Sequence, residues 1–102
     1  MEIILEKRVE KWLQSLKDKQ SFLAIIARLE QASKLVHLGD YKGLGNGLFE
    51  MRIHQGAGYR LYFICKGDVL IIILNGGTKQ HQSADIKKAN ELAKEYKNDS
   101  RI

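Results

Sequence analysis

The sequence predicts an α+β fold: an N-terminal strand and a helical hairpin pack on an antiparallel β-sheet meander, and a C-terminal helix follows. Three observations indicate it. Apolar residues recur at helical spacing early in the chain, alternate with a period of two after residue 48, and return to helical spacing after residue 85. With 102 residues, 44% of them hydrophobic, the chain suits one compact core. We assign residues 1–97 to a single domain and residues 98–102 to a polar C-terminal tail.

The N-terminal part is predicted to contain one strand and two helices. The short run Glu2–Leu5 suits a first strand. Two segments follow in which apolar residues fall at i, i+3, i+4 and i+7, the first from Val9 to Leu16 and the second from Phe22 to Leu29. Polar residues 17–20 separate the segments, and Ser21 is the expected N-cap of the second helix. Two helices joined so closely are expected to form a hairpin.

The middle of the chain is predicted to contain a loop and a three-stranded meander. Residues 37–47 carry four glycines and no apolar period, which indicates a loop. Residues 49–54 and 59–65 alternate as strands do, with a turn at 55–58 between them. A tight turn at 66–68 leads to the apolar run Val69–Leu74, which we expect to be covered on both faces and to end at residues 75–77.

The last element is predicted to be a helix that is capped near Ser83. Asp85 then lies in the first turn, where the helix dipole favours an anion. Its buried stripe is expected to contain the apolar residues at helical spacing, which are Ile86, Ala89, Ala93 and Tyr96.

Charge and cysteine content restrict the classes of partner. Seventeen Lys and Arg residues against twelve Asp and Glu give a net charge of +5, which favours a polyanion or an acidic protein. By composition alone, a basic balance without functional meaning is equally compatible. Cys65 is the single cysteine, so no intrachain disulfide is possible, and its place on an apolar strand face indicates core. With no signal peptide and no membrane-length apolar segment, we expect a cytoplasmic protein without membrane contact.

Cationic residues are predicted to collect on one face of the sheet. A period of two places Arg52 with His54 on one strand and Arg60 with Tyr62 on the next, on faces that we expect to be solvated and to coincide. Further cations flank these strands in the sequence. Lys79 and His81 follow the third meander strand, and Lys42 lies in the glycine-rich segment.

This set has the groups needed to cleave RNA without a metal. A guanidinium from Arg52 or Arg60 can bind the phosphate oxygens by forked hydrogen bonds, and an imidazole can act as general acid or base near neutral pH. Tyr62 is a candidate for stacking on an unpaired base. Each cation taken singly is more often a solvated surface charge. The histidines and Cys65 lack zinc-ligand spacing, and the glycine-rich segment lacks the ending of a phosphate loop, so neither a metal nor a cofactor is expected.

The stretch from Gly39 to Ile53, with its glutamate–apolar–arginine–apolar strand, resembles the HigB-like, phage-related addiction-module killer branch of the RelE/ParE toxin superfamily. The resemblance continues through the Gly-Tyr-Arg turn at 58–60 and the Gly-Gly-x-Lys loop at 76–79, and it reaches the helix ending near Tyr96. It covers nearly the whole chain. The resemblance implies a RelE-like fold and a toxin of a type II toxin–antitoxin pair, neutralised by a small antitoxin that often carries a helix-turn-helix.

In RelE-like members the toxin enters the ribosomal A site and cleaves mRNA by attack of a 2′-hydroxyl. Arg60 matches the arginine that stabilises the transition state, and Arg52 matches a strand arginine of the HigB-like branch. Lys79 falls where the family places a basic catalytic residue, and His81 beside it is the better general acid because imidazole titrates closer to neutrality. RelE has a lysine-rich strand where this chain has residues 51–53. We therefore assign the general base by chemistry to His54, with Lys42 as a second candidate.

Three functions follow from the resemblance. The first is a ribosome-dependent mRNA endoribonuclease. The second is a ParE-like inhibitor of DNA gyrase that performs no chemistry. The third is a degenerate toxin that only binds its antitoxin or RNA. The shared fold does not separate them, so the cationic and histidine set favours the first.

Overall fold

The computed structural model describes residues 2–35, 39–67 and 70–97, and it has the predicted α+β architecture. His37 and the tail at 98–102 lie outside the described residues. The elements, in chain order, are β1 (Glu2–Leu5), α1 (Lys7–Ser15), α2 (Lys19–Leu35), β2 (Tyr41–Gly45), β3 (Leu48–Ile53), β4 (Tyr59–Lys66), β5 (Leu70–Thr78), a 3-10 turn (Lys79–His81) and α3 (Gln82–Lys97).

The strands form one mixed sheet in the order β1-β5-β4-β3-β2. β1 lies parallel to β5, and the four later strands form an antiparallel meander. The predicted three-stranded meander was therefore incomplete by one strand. In this order β4 lies at the centre of the sheet, with β3 and β5 on either side.

The predicted loop at 37–47 was wrong for residues 41–45, which form the edge strand β2. Tyr41 pairs with Met51 and Gly43 with Phe49, and a bulge interrupts the register between Gly43 and Gly45. An edge strand needs only one hydrogen-bonded neighbour and little apolar burial, so it lacks the alternation by which strands are recognised. The turn to β3 uses left-handed backbone, with φ of 55° at Asn46.

β5 continues to Thr78 and does not end at residues 75–77 as predicted. The two glycines in this extension are sites of close packing. A Cβ at Gly76 would overlap the ring of Trp12 from α1, and a Cβ at Gly77 would overlap the carboxylate of Asp85 from α3. Since the two side chains approach from opposite faces, glycine here allows both layers of helices to contact the sheet.

The predicted N-cap of α2 at Ser21 was wrong. α2 begins at Lys19, and the carboxylate of Asp18 accepts hydrogen bonds from the backbone N–H of Gln20 (3.1 Å) and of Ser21 (3.3 Å). Asp18 thus satisfies the free N–H groups of the first turn, and the Ser21 hydroxyl donates to it. Hydrogen bonds from Ser21 hold the pKa of Asp18 below its usual value. Ser83 lies inside α3, which begins at Gln82, whereas Asp85 does lie in its first turn.

The sheet has a hydrophobic core on each face. α1 and α2 cover one face and α3 covers the other. In β5, Ile71 and Ile73 enter the first core and Ile72 and Leu74 the second, which confirms the prediction of a strand covered on both sides. Cys65 packs against the first core, where burial raises the pKa of its thiol. No helix within the described ranges is both long and apolar enough to cross a bilayer.

Candidate functional site

Arg52 and Arg60 lie directly opposite each other on β3 and β4. Residues paired in this way point to the same face of a sheet, which here is the face covered by α3. The two arginines belong to one row of residues that crosses the strands, here called the arginine row. On β5 the row continues to Gly77, which pairs with Arg60. Before β2 it continues to Asp40, whose carbonyl accepts a 2.8 Å hydrogen bond from the Arg52 backbone N–H. The predicted coincidence of the two strand faces is confirmed.

The outer end of this row is a set of ionic contacts around Asp40. Its carboxylate accepts a 3.0 Å hydrogen bond from Arg52, and its second oxygen lies 2.5 Å from Nε2 of His54. The hydrogen bond with His54 is the largest cause that holds the pKa of Asp40 below its usual value, and Arg52 adds to the effect. Arg28 of α2 donates to the backbone carbonyl of Arg52, which fixes this edge to the helical layer.

Arg60 has a different environment from Arg52. Its Nε lies 3.6 Å from Oε1 of Glu50, and its side chain keeps only 15% of its exposure. No hydrogen bond joins its guanidinium to another residue in the described part of the chain, and its Nε is buried without such a partner. An arginine has five N–H donors, so Arg60 is held by charge while its hydrogen-bonding capacity stays unused.

The centre of this face is buried, and the prediction that it is solvated was wrong there. Tyr62 and Glu50 are fully buried beneath α3, because the apolar stripe of that helix covers β3 and β4. Burial raises the pKa of Tyr62, and the nearby carboxylates of Glu50 and Asp85 raise it further. A ring with no exposed surface cannot stack on a base, so the suggested role of Tyr62 in RNA stacking does not fit this arrangement.

The 3-10 turn Lys79–His81, here called the cationic turn, follows the row at its β5 end. Thr78 pairs with Tyr59 and Gly77 with Arg60, so the turn begins at the end of the sheet where Arg60 lies. Lys79 and His81 are both exposed. An open pocket of about 530 Å³ beside Lys79 is lined by Ala57, Thr78, Lys79 and Gln80.

The two predicted histidines lie on opposite sides of Arg60 in the order of the sheet. His54 is bound to Asp40 next to β2, whereas His81 follows β5. Neighbouring strands are about 4.8 Å apart, so the outer members of the row, on β2 and β5, are separated by roughly 14 Å. Lys42 pairs with Glu50 from the edge strand and is exposed. The structure thus brings Arg60 and the cationic turn to one end of the sheet and places Arg52, His54 and Lys42 toward its β2 edge.

Two acidic residues of this face were missed in the sequence. Glu50 lies on the strand face of Arg52 that the sequence predicts to be solvated, and the sequence indicates for Asp85 only a place in the first turn of a helix. The Oδ2 atom of Asp85 is buried and has no hydrogen-bond partner among the described residues. Burial raises the pKa of Asp85, while the charge of His81 acts in the opposite direction. The only sequence signal for the position of Asp85 was the glycine pair at 76–77, since Asp85 packs closely against Gly77. A glycine pair alone does not reveal which side chain fills the space beside it.

Within the described residues, no three His, Cys, Asp or Glu side chains form a group that could hold a metal ion. The site supplies guanidinium, imidazole, ammonium and carboxylate groups. Such groups can bind a phosphate, stabilise charge that develops on it, and transfer protons around it.

Comparison with known proteins identifies the family of this chain. The sequence model of a protein family described as "Phage derived protein Gp49-like (DUF891)" matches residues 11–97. The chain belongs to this family. The Gp49-like family is one of addiction-module toxins related to RelE. A Haemophilus influenzae protein (strain Rd), which carries only the description "Uncharacterized protein", is 41% identical over 86 residues, or 84% of this chain and 86% of its own length. No solved structure matches the chain.

The span matched by the Gp49-like family contains the whole candidate site. It begins within α1 and ends with α3, so it includes the arginine row, the cationic turn and both carboxylates of the α3 face. Only β1 and the start of α1 lie before it among the described elements.

Proposed function

We propose that this Gp49-like protein is the toxin of a type II toxin–antitoxin system and a ribosome-dependent, metal-independent mRNA endoribonuclease of the HigB-like kind. A cognate antitoxin, expected to be a helix-turn-helix protein, neutralises it in the cytoplasm. The observation that carries the proposal is the environment of the Arg60 side chain. Its guanidinium is nearly buried beside Glu50, its donors are unused, and imidazole-bearing segments lie on both sides of it.

The proposed reaction is an intramolecular transfer at one phosphodiester of the mRNA. The ribose 2′-oxygen forms a bond to phosphorus, the bond from phosphorus to the 5′-oxygen breaks, and the products are a 2′,3′-cyclic phosphate and a 5′-hydroxyl. The base takes the proton of the 2′-hydroxyl, and the acid gives a proton to the departing 5′-oxygen. In such an in-line displacement the base and the acid act from opposite sides of the phosphorus.

We divide the catalytic roles among the side chains on the two sides of Arg60. Arg60 binds the non-bridging oxygens, His81 acts as the acid from the cationic turn, and His54 acts as the base from the β2 side. Lys79 binds an adjacent phosphate, and Arg52 binds another when RNA displaces Asp40. Lys42, exposed on the edge strand, is a further RNA contact and the second candidate for the base.

The burial of Arg60 supports its proposed role in stabilising the transition state. A hydrogen-bond donor aimed at developing charge in a site that excludes water contributes more than the same donor in bulk solvent. Removing one such donor typically reduces the rate by about 10²–10³-fold. The net charge of +5 suits association with a ribosome, whose RNA is a polyanion.

The test uses the purified full chain, ribosomes programmed with a defined mRNA, and mapping of mRNA ends by primer extension. Wild-type protein is expected to give cuts in phase with the codons. Arg60→Lys keeps a positive charge beside Glu50 but removes the forked donor, so cleavage is expected to fall by about 10²-fold. Arg8→Lys is the matched control, because Arg8 is an exposed arginine of α1 whose ion-pair partner among the described residues is Glu6.

Intact mRNA with wild-type protein would overturn the nuclease proposal. If growth arrest then came with DNA damage and inhibited gyrase, the ParE-like alternative would replace it. Equal cleavage by wild type and folded Arg60→Lys would show that the site is misassigned even though the activity is present.

A further inference from the structure

One carboxylate of the α3 face has no part in the proposed reaction. Glu50 lies in the middle of β3, and its side chain is fully buried. Its partner on β4, Tyr62, and its strand neighbour Leu48 belong to the second core, and its partner on β2 is Lys42. A buried carboxylate is unfavourable unless a cation or hydrogen-bond donors compensate it, and an apolar side chain would fill the same space without that loss of hydration. Glu50 therefore calls for a role beyond packing.

The two oxygens of Glu50 have partners on two different elements. Oε1 lies 3.6 Å from Nε of Arg60 on β4, and Oε2 accepts a 2.9 Å hydrogen bond from the side-chain amide of Gln82. Gln82 is the first residue of α3 and follows His81 directly in the chain. A single carboxylate thus connects the arginine to the segment that carries the cationic turn.

The side from which Glu50 approaches Arg60 is important. It faces Nε, and this atom is buried. A guanidinium presents a forked pair of donors through its two terminal nitrogens, and such a fork matches two oxygens of a phosphate. When the group is held at Nε, the fork remains available to a substrate.

We propose that Glu50 is a positioning residue that holds Arg60 by its Nε and the start of α3 by Gln82, so that the arginine and the cationic turn keep a constant separation. The inference rests on the proposed function, because this separation matters to activity only if both segments act on one phosphodiester. A misplacement of about 1 Å at a reacting group can reduce a rate by about 10²-fold.

The test compares wild type with Glu50→Gln in the full chain by two measurements. The first is the single-turnover rate constant for mRNA cleavage, together with the ribosome concentration that gives half of the maximal rate. The second is amide hydrogen exchange. We expect the rate constant to fall by about 10²-fold with the half-saturating concentration nearly unchanged. Exchange is expected to increase in residues 79–84 and to stay the same in α1 and α2.

Two further variants separate positioning from general stability. Glu91→Gln makes the same chemical change at an exposed position of α3 and is expected to alter neither measurement. Gln82→Ala breaks only the link to α3 and leaves the pair of Glu50 with Arg60 in place. It is expected to increase exchange in residues 79–84 and to slow cleavage less than Glu50→Gln does. The double variant is expected to be no slower than Glu50→Gln, because the link that Gln82→Ala removes runs through Glu50 itself.

The outcomes distinguish a failure of the role proposed for Glu50 from a failure of the proposed nuclease function. Folded Glu50→Gln with wild-type cleavage, or with unchanged exchange at 79–84, overturns the inference. Increased exchange throughout the chain also overturns it, since the role is then purely structural. If Glu50→Gln does not fold, Gln82→Ala decides by the same two measurements. If wild type itself does not cleave, the proposed function fails, and hydrogen exchange still decides whether Glu50 holds the turn to β4.

Discussion

Arg52 and Arg60 are direct cross-strand partners, an arrangement of like charges that destabilises a sheet unless other groups compensate it. Each arginine has a separate carboxylate. Asp40 binds Arg52 at 3.0 Å, and Glu50 lies 3.6 Å from Arg60. The first contact is partly buried and hydrogen-bonded, whereas the second is buried and lacks a hydrogen bond. The two arginines are therefore stabilised in different ways, which supports different roles for them.

Asp40→Asn is expected to lower stability near neutral pH. Hydrogen bonding to His54, and then to Arg52, lowers the pKa of Asp40 in the folded protein. The contribution of the Asp40 carboxylate to folding stability is thus complete above its unfolded pKa of about 3.9. This contribution is lost as the pH falls through the pKa of Asp40 in the folded protein. The difference in Tm between wild type and Asp40→Asn should be present at pH 7 and vanish toward about pH 2. A difference that is independent of pH would contradict this reading of the Asp40 contacts.

Asp85→Asn is expected to have the opposite effect, an increase in stability near neutral pH. Burial raises the pKa of Asp85, so its ionised form opposes folding, and stability is lost as the pH rises through the folded value. The amide is expected to raise Tm at pH 7, with little effect below the unfolded pKa of about 3.9. Thermal unfolding followed by circular dichroism at both pH values checks it. A lower Tm at pH 7 would show that the ionised carboxylate has a stabilising partner, with the charge of His81 as the first candidate.

Tyr62→Phe is expected to leave both stability and RNA cleavage unchanged, or to raise stability slightly. The hydroxyl of Tyr62 is buried without a hydrogen-bond partner among the described residues, so its removal relieves an uncompensated polar group. Tyr62→Ala should cost about 3–5 kcal/mol, as expected for a large buried ring. Urea unfolding measures both changes. Loss of cleavage in folded Tyr62→Phe would reveal a catalytic role that the burial of this side chain does not suggest.

Gly77→Ala is expected to destabilise the fold by about 1–3 kcal/mol, the usual range for overpacking a close contact. The added Cβ would overlap the carboxylate of Asp85, so β5 or the first turn of α3 must move. Gly43→Ala is the control, because a Cβ there meets Phe49 at an ordinary 3.7 Å. Urea unfolding of both variants gives the comparison. Equal stability of the two variants would mean that α3 can shift away from β5 without loss.

Periodicity in the sequence was sufficient for most of the elements. The helical stripes, the alternation in β3 and β4, and the two-sided apolar pattern of β5 follow from how often apolar residues recur, and this property is local. It failed for β2, which is held by pairing at an edge and buries little. It also failed at the N-cap of α2, because several neighbouring residues can supply the capping oxygen.

The α+β class, the basic charge, and the two arginines and two histidines in and around the central strands are all visible in the amino-acid sequence. Three relationships became visible in the folded molecule alone: Arg52 faces Arg60, α3 buries Glu50 and Tyr62, and Gln82 and Arg60 share one carboxylate. Alternation reports which residues share a strand face, whereas strand register and the packing of α3 determine what covers that face. A glutamate on a strand has the same local pattern whether water or a helix lies above it.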